Sequence, residues 1–68
     1  MQFHIFIYQD EDGACIAECP SIPGCVSQGR SEEEAALNLR KAIRECLYVR
    51  NEKGMPLTVY LRKVEVPL

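Results

Sequence analysis

The four cysteines are the residues of this chain best suited to metal or redox chemistry, and they are Cys15, Cys19, Cys25 and Cys46. The first two lie four residues apart on a predicted strand, so their Cα atoms would be about 13 Å apart at a rise of about 3.3 Å per residue. A disulfide needs Cα atoms within about 7 Å, and each Zn–S bond is only about 2.3 Å long. We therefore expect no metal centre, and no disulfide between Cys15 and Cys19.

Cys19 and Cys25 flank a short loop and could be neighbours across it. A disulfide between them is geometrically possible, but the sequence carries no export signal, and a reducing compartment favours free thiols. Free cysteine packs as a small buried apolar residue. The row formed by Cys15, Ala17 and Cys19 should therefore let a helix approach the sheet closely.

The single histidine and the two acidic clusters offer little catalytic chemistry. His4 has no base or nucleophile near it in sequence, which favours a structural or interface role. The acidic run Asp10–Asp12 is typical of a solvated turn, and Glu32–Glu34 of a helix start, although carboxylates can also bind a hard cation. No phosphate-binding glycine pattern is present. We expect neither an enzyme activity nor a cofactor.

The first half of the chain predicts three short strands that place these residues. Gln2–Gln9 alternates as a strand, and Asp10–Gly13 forms a tight polar turn. The second strand is predicted at Ala14–Cys19. Pro20–Gly24 follows as a stiff loop, because each proline fixes its own φ and lacks a donor. A third strand is expected at Cys25–Gln28.

A long helix is predicted after these strands. Ser31 is the expected N-cap, and Glu34 three residues later completes a capping box. The helix should run from about Glu32 to Val49 or Arg50 and stop within 51–54, before a proline. Its apolar stripe at helical spacing consists of Ala35, Leu39, Ala42, Ile43, Cys46 and Leu47.

Leu57–Val66 is predicted as a fourth strand, although its apolar residues change face near Arg62 and Lys63. The expected fold is a single α+β domain over residues 1–68, in the order β-β-β-α-β. It combines an antiparallel three-strand meander with a fourth strand parallel to the first, in spatial order 3-2-1-4. One helix covers only one face of such a sheet. The other face should need a partner, so we expect self-association into a homodimer or a larger assembly.

Charge and hydropathy exclude several classes of partner. The net charge of -2 does not provide the basic face that nucleic-acid binding requires, so a basic protein partner is favoured over direct nucleic-acid binding. No apolar run approaches the roughly 20 residues of a membrane span, and residues 1–8 do not resemble a signal peptide. These features predict a cytoplasmic protein.

Residues 18–29 and 31–35 resemble the signature of the HicB-like antitoxin domain, which has the approximate form P-x-(L/I)-P-G-C-x-(S/T)-x-G followed by a capped acidic helix start. The likeness extends over about residues 5–47. The matching residues are Pro20, Ile22, Pro23, Gly24, Cys25, Ser27, Gly29, Ser31, Glu33, Glu34 and Ala35.

This resemblance implies an antitoxin that binds a small basic mRNA-cleaving toxin of the HicA type and blocks the toxin's catalytic histidine. Members usually carry a C-terminal DNA-binding unit, and we expect none after Leu68. The expected partner contacts are a core of His4, Phe6 and Tyr8 with acidic contacts at Asp10, Glu11, Asp12 and Glu18. The alternative is a homo-oligomeric scaffold or adaptor without a toxin partner.

Overall fold

The computed structural model describes all 68 residues and contains three strands and one helix. The strands are β1 (Phe6–Gln9), β2 (Cys15–Glu18) and β3 (Val26–Gly29), and the helix α1 is Glu32–Glu52. The strands form one antiparallel sheet in the order β1-β2-β3. The predicted α+β class, with a three-strand meander followed by one long helix, is confirmed.

The first strand is shorter than the predicted Gln2–Gln9 because its neighbour ends. Phe6 pairs with Glu18, which is the last residue of β2. The next residue, Cys19, donates its backbone N–H to the Cys25 carbonyl at 3.0 Å, and Pro20 has no N–H to donate. Residues 1–5 therefore have no ladder to join. The turn at the other end is as predicted, with Gly13 at φ 85°.

The loop between β2 and β3 folds back into the core. The Ile22 N–H donates to the Cys19 carbonyl, and the Cys25 N–H donates to the Ile22 carbonyl, each at 3.1 Å. Gly24 takes a φ of 80°, in the left-handed region that favours glycine. These turns bury the Ile22 side chain to 1% exposure. The loop is therefore a core element, which its two prolines alone did not indicate.

The helix packs closely against one face of the sheet, as the small residues of β2 predict. Cys15, Ala17 and Cys19 are all buried on that face. A Cβ atom added to Gly29 would lie 2.6 Å from the backbone nitrogen of Ala35. Only glycine therefore permits this approach between the end of β3 and the first turn of α1. The predicted helix stripe also lies against the core, with its first two members fully buried.

Both ends of α1 are capped. The Ser31 hydroxyl accepts the Glu34 N–H at 3.1 Å, which confirms the predicted N-cap. The Glu34 carboxylate reaches back to the Arg30 N–H at 3.3 Å, one residue before the position of a standard capping box. At the other end, Gly54 has a φ of 69° and the Met55 N–H donates to the Arg50 carbonyl at 2.8 Å. This Schellman motif ends the helix.

The prediction of a fourth strand at Leu57–Val66 is wrong for the single chain. Residues 57–68, here called the C-terminal arm, form no strand, and every one of them is exposed. The Val59 N–H donates to the Ser21 carbonyl at 2.8 Å, so the arm passes the β2–β3 loop and does not join β1. Its apolar residues also change face midway, and one sheet cannot bury both sets.

Replacing Ser31 by Ala should lower the free energy of unfolding by about 1 kcal/mol, because the Glu34 N–H loses its acceptor. Urea denaturation followed by circular dichroism measures this loss. Ser31→Asn is the matched control, since asparagine caps about as well as serine. Equal stabilities for the Ala and Asn variants would show that the cap contributes nothing.

Candidate partner-binding face

The sheet face turned away from α1 carries two rows of side chains that cross the three strands. In one row Phe6 pairs with Glu18, which pairs with Val26. In the other, Tyr8 pairs with Ile16, which pairs with Gln28. We call this six-residue surface the open face, because no element of the chain covers it.

Large apolar groups on the open face remain in water. Phe6 is 46% exposed, Tyr8 45% and Val26 48%. The Phe6 and Tyr8 rings stack with centroids 6.1 Å apart and an interplanar angle of 22°. Aromatic side chains are enriched in the buried centres of protein interfaces. The structure thus brings two of the expected core contacts, Phe6 and Tyr8, together on one exposed surface.

Glu18 occupies a different place from the one expected of a rim contact. The strand register puts it between Phe6 and Val26, and it is only half-buried. A carboxylate among apolar groups suits a cation from a partner, because burial of the pair weakens competition from water. Counting the hairpin register outward from the Asp10–Gly13 turn would have located it.

The remaining expected contacts lie beyond the ends of β1. The Asp10 carboxylate accepts the N–H groups of Asp12 and Ala14, both at 2.9 Å, so this side chain shapes the turn. Glu11 and Asp12 are exposed at the tip of the hairpin. His4 is exposed but lies two residues before β1, so it does not belong to the paired rows.

A shallow groove borders the open face at the end opposite this turn. Its volume is about 200 Å³, and its walls are the first row of the face and the loop between β2 and β3. Phe6, Glu18 and Val26 line one side, and Pro20 and Pro23 line the other. The proline loop therefore gives the flat sheet a rigid wall against which a partner side chain can pack.

The cysteines lie on the opposite side, in the core between sheet and helix, and all four are free thiols. The backbone bond from Cys19 to Cys25 confirms that these two are neighbours across the loop. Burial raises the pKa of the Cys25 thiol to about 12, with further contributions from Cys46 and then Cys19. A raised pKa suppresses the reactive thiolate. No group of three histidine, cysteine or acidic side chains is placed to hold a metal ion.

Cys46 shows what sequence periodicity missed. Its position on the helix stripe predicted packing, but only the tertiary structure reveals that it lies beside Cys25. A second missed contact is Asn38, whose side-chain amide donates to the Gln28 carbonyl at 2.8 Å and fastens α1 to β3. No helix of the protein combines the length and apolar character needed to cross a membrane.

Three relatives define the class to which this small α+β chain belongs. It is 41% identical over 56 residues to a UPF0150 protein of Thermoplasma acidophilum, covering 78% of this chain and 81% of the relative. A UPF0150 protein of Synechocystis is 41% identical over 46 residues, covering 68% and 67%. One of Archaeoglobus fulgidus is 40% identical over 55 residues, covering 81% and 77%.

The chain therefore belongs to the UPF0150 family. No protein-family model matches it, and no solved structure matches it. The family name carries no activity, so the function has to be argued from the open face and its surroundings.

The Cys25 thiol should make stability depend on alkaline pH. Above about pH 9 the unfolded chain loses this proton, whereas the folded chain keeps it until about pH 12. The protonated Cys25 thiol therefore makes its full contribution to the free energy of unfolding below pH 9. That contribution is lost between pH 9 and 12, by up to about 1.4 kcal/mol per pH unit. Urea denaturation across this range measures the slope.

The control for that measurement removes another buried thiol. Cys15→Ala should keep the alkaline loss, whereas Cys25→Ala should flatten it, because only the second variant lacks the titrating group. Identical slopes in wild type and Cys25→Ala would contradict the assignment.

Proposed function

We propose that this chain is an antitoxin-like protein that binds a small basic mRNA-cleaving toxin of the HicA type and covers the toxin's active site. The observation that supports this most is the open face, where the exposed rings of Phe6 and Tyr8 stack and the Glu18 carboxylate lies beside Phe6. Such a face offers a hydrophobic centre together with complementary charge, which are the features that give protein interfaces affinity and specificity.

Both the centre of the open face and the hairpin at its edge are complementary to a basic partner. Phe6 and Tyr8 supply the apolar area, and Glu18 between the strands can pair with a lysine or arginine of the toxin. The exposed carboxylates of Glu11 and Asp12 add negative charge at the hairpin tip, which speeds the encounter with a basic protein. Binding of this kind requires no catalysis by the antitoxin.

The residues of the HicB-like signature contribute to the scaffold of the fold. Ile22 fills the core, Gly24 makes a turn, Gly29 allows the close approach of α1 and Ser31 caps it. These residues build the scaffold and do not form the open face. The resemblance therefore supports a shared fold directly, and it supports toxin binding through what that fold displays.

The proposed partners are a basic protein and further copies of this chain. An overall charge of -2 and an acidic hairpin disfavour direct contact with nucleic acid. Self-association remains part of the proposal, because the open face and the C-terminal arm both leave apolar side chains in water.

Co-expression tests the proposal. If a gene for a small basic protein lies next to this one, that protein is expressed alone and together with this chain, and growth and mRNA integrity are measured. We expect toxicity from the neighbour alone and rescue by this chain. A neighbour that is equally toxic in both cases would overturn the antitoxin assignment.

Single substitutions measure how much the aromatic side chains at the centre of the open face contribute to toxin binding. Phe6→Ala or Tyr8→Ala should weaken toxin binding about 30-fold or more, mainly through faster dissociation, because a buried aromatic anchor is worth about 2 kcal/mol or more. Tyr48→Ala is the matched control, since that tyrosine is 66% exposed on the helix. Biolayer interferometry gives both rate constants, and equal effects at Tyr8 and Tyr48 would contradict the assignment of the face.

Charge removal has a different kinetic signature. Glu11→Gln with Asp12→Asn should slow association and reduce its salt dependence while leaving dissociation nearly unchanged. Glu52→Gln, at the C-terminal end of α1, is the control that removes a charge away from the hairpin.

The second candidate is a homo-oligomeric scaffold or adaptor. The exposed apolar arm favours it, because an arm of this kind can link copies of the chain without any toxin. Failure of rescue, combined with a stable oligomer, would select this function.

A further inference from the structure

The C-terminal arm is an apolar β-type segment that projects into water. Leu61 is 59% exposed, Val64 79% and Val66 68%. The radius of gyration is 13.6 Å, whereas a compact chain of 68 residues would have about 11 Å. The arm therefore extends away from the fold.

The outer edge of β1 has no paired strand. β1 is an edge strand, so its outward N–H and C=O groups have no ladder partner. Beside it, on the helix side, lies a groove of about 180 Å³. Its lining residues are Phe3, Ile5, Ala36, Leu39, Arg40 and Ile43. An added strand would satisfy the edge and fill this groove.

The pattern of the arm fits that edge when it runs parallel to β1. If Val59 lies level with Ile7, then Leu57 and Leu61 share its side of the sheet, which is the helix side. Leu57 then lies level with Ile5 and faces the groove. β1 ends at Gln9, level with Leu61. The change of face after Leu61 therefore falls beyond the sheet, where alternation is no longer required.

Charge supports the same register. Arg62 and Lys63 follow Leu61 directly and would come level with the exposed acidic turn at Asp10–Asp12. Opposite charges at this point favour the parallel arrangement and disfavour the reversed one, in which the two cations would lie near the start of β1.

We infer that the arm of one copy adds as a fourth strand to the β1 edge of a second copy, and that the two copies exchange arms reciprocally. The arm in this structure is held at the β2–β3 loop by the Val59–Ser21 bond and does not pair with its own β1. Reciprocal exchange closes a twofold dimer and leaves neither β1 edge unpaired. The inference rests on the proposed self-association but not on toxin binding, and it leaves both open faces free.

Isotope-filtered NMR on the full chain tests the exchange. Labelled and unlabelled chains are mixed, unfolded and refolded together, and contacts that cross from a labelled to an unlabelled chain are recorded. We expect such contacts between the methyl groups of Leu57 or Val59 and those of Ile5 or Ile7. The same contacts found only within one chain would overturn the inference, as would a monomer in sedimentation.

Two matched variants provide an independent check. Leu57→Ser should weaken dimerisation about tenfold or more, because its side chain lies level with Ile5 and faces the groove. Val64→Ser, beyond the end of β1, should leave the dimer intact. Equal dimer affinities for the two variants would contradict the register. A stable dimer that lacks contacts between arm and groove would contradict arm exchange but not self-association. If the toxin still binds this dimer, the proposed function is not contradicted.

Discussion

The close approach of α1 to the sheet is the constraint on which the rest of the structure depends. It exists because β2 and the residue after it present only Cys15, Ala17 and Cys19 to the helix, and because β3 ends at Gly29. A larger side chain in that row would push the helix outward and uncover Ala35 and Leu39. Cys15 and Cys19 are therefore explained by their size, and the raised pKa of the Cys25 thiol is a consequence of the tight packing.

One helix packed this closely can serve only one side of a three-stranded sheet. It lies mainly over β3 and β2, so a groove beside β1 stays open, and the opposite face stays in water. The strand order also leaves β1 with a free edge. A domain of this length buries only about 60% of the surface of its unfolded chain and is correspondingly marginal in stability. The exposed apolar surfaces are thus the natural places where binding can add stability, because any partner that binds only the folded state stabilises it.

Local chemistry predicted the parts of the fold that local interactions decide. The hairpin at Gly13, the cap at Ser31 and the helix stripe each depend on residues within a few positions of one another, and all three are confirmed. The central position of Glu18 depends on register, and the proximity of Cys25 to Cys46 depends on packing across the core. Neither follows from periodicity alone.

The predicted fourth strand depends on contacts that the local sequence does not specify. Alternation in Leu57–Val66 predicted a strand that the structure does not form, because alternation alone does not say whether a free sheet edge is within reach. The open face and the β1 edge are geometrically separate, since side chains point out of the sheet while ladder groups point along it. An arm on the edge and a basic protein on the face can therefore bind at the same time. If both occur, each dimer presents two acidic-centred faces, and occupation of one edge strengthens the strand that carries Phe6 and Tyr8. An ordered β1 would favour binding at Phe6 and Tyr8, whereas Arg62 and Lys63 beside the Asp10–Asp12 turn would reduce the negative charge that attracts a basic partner.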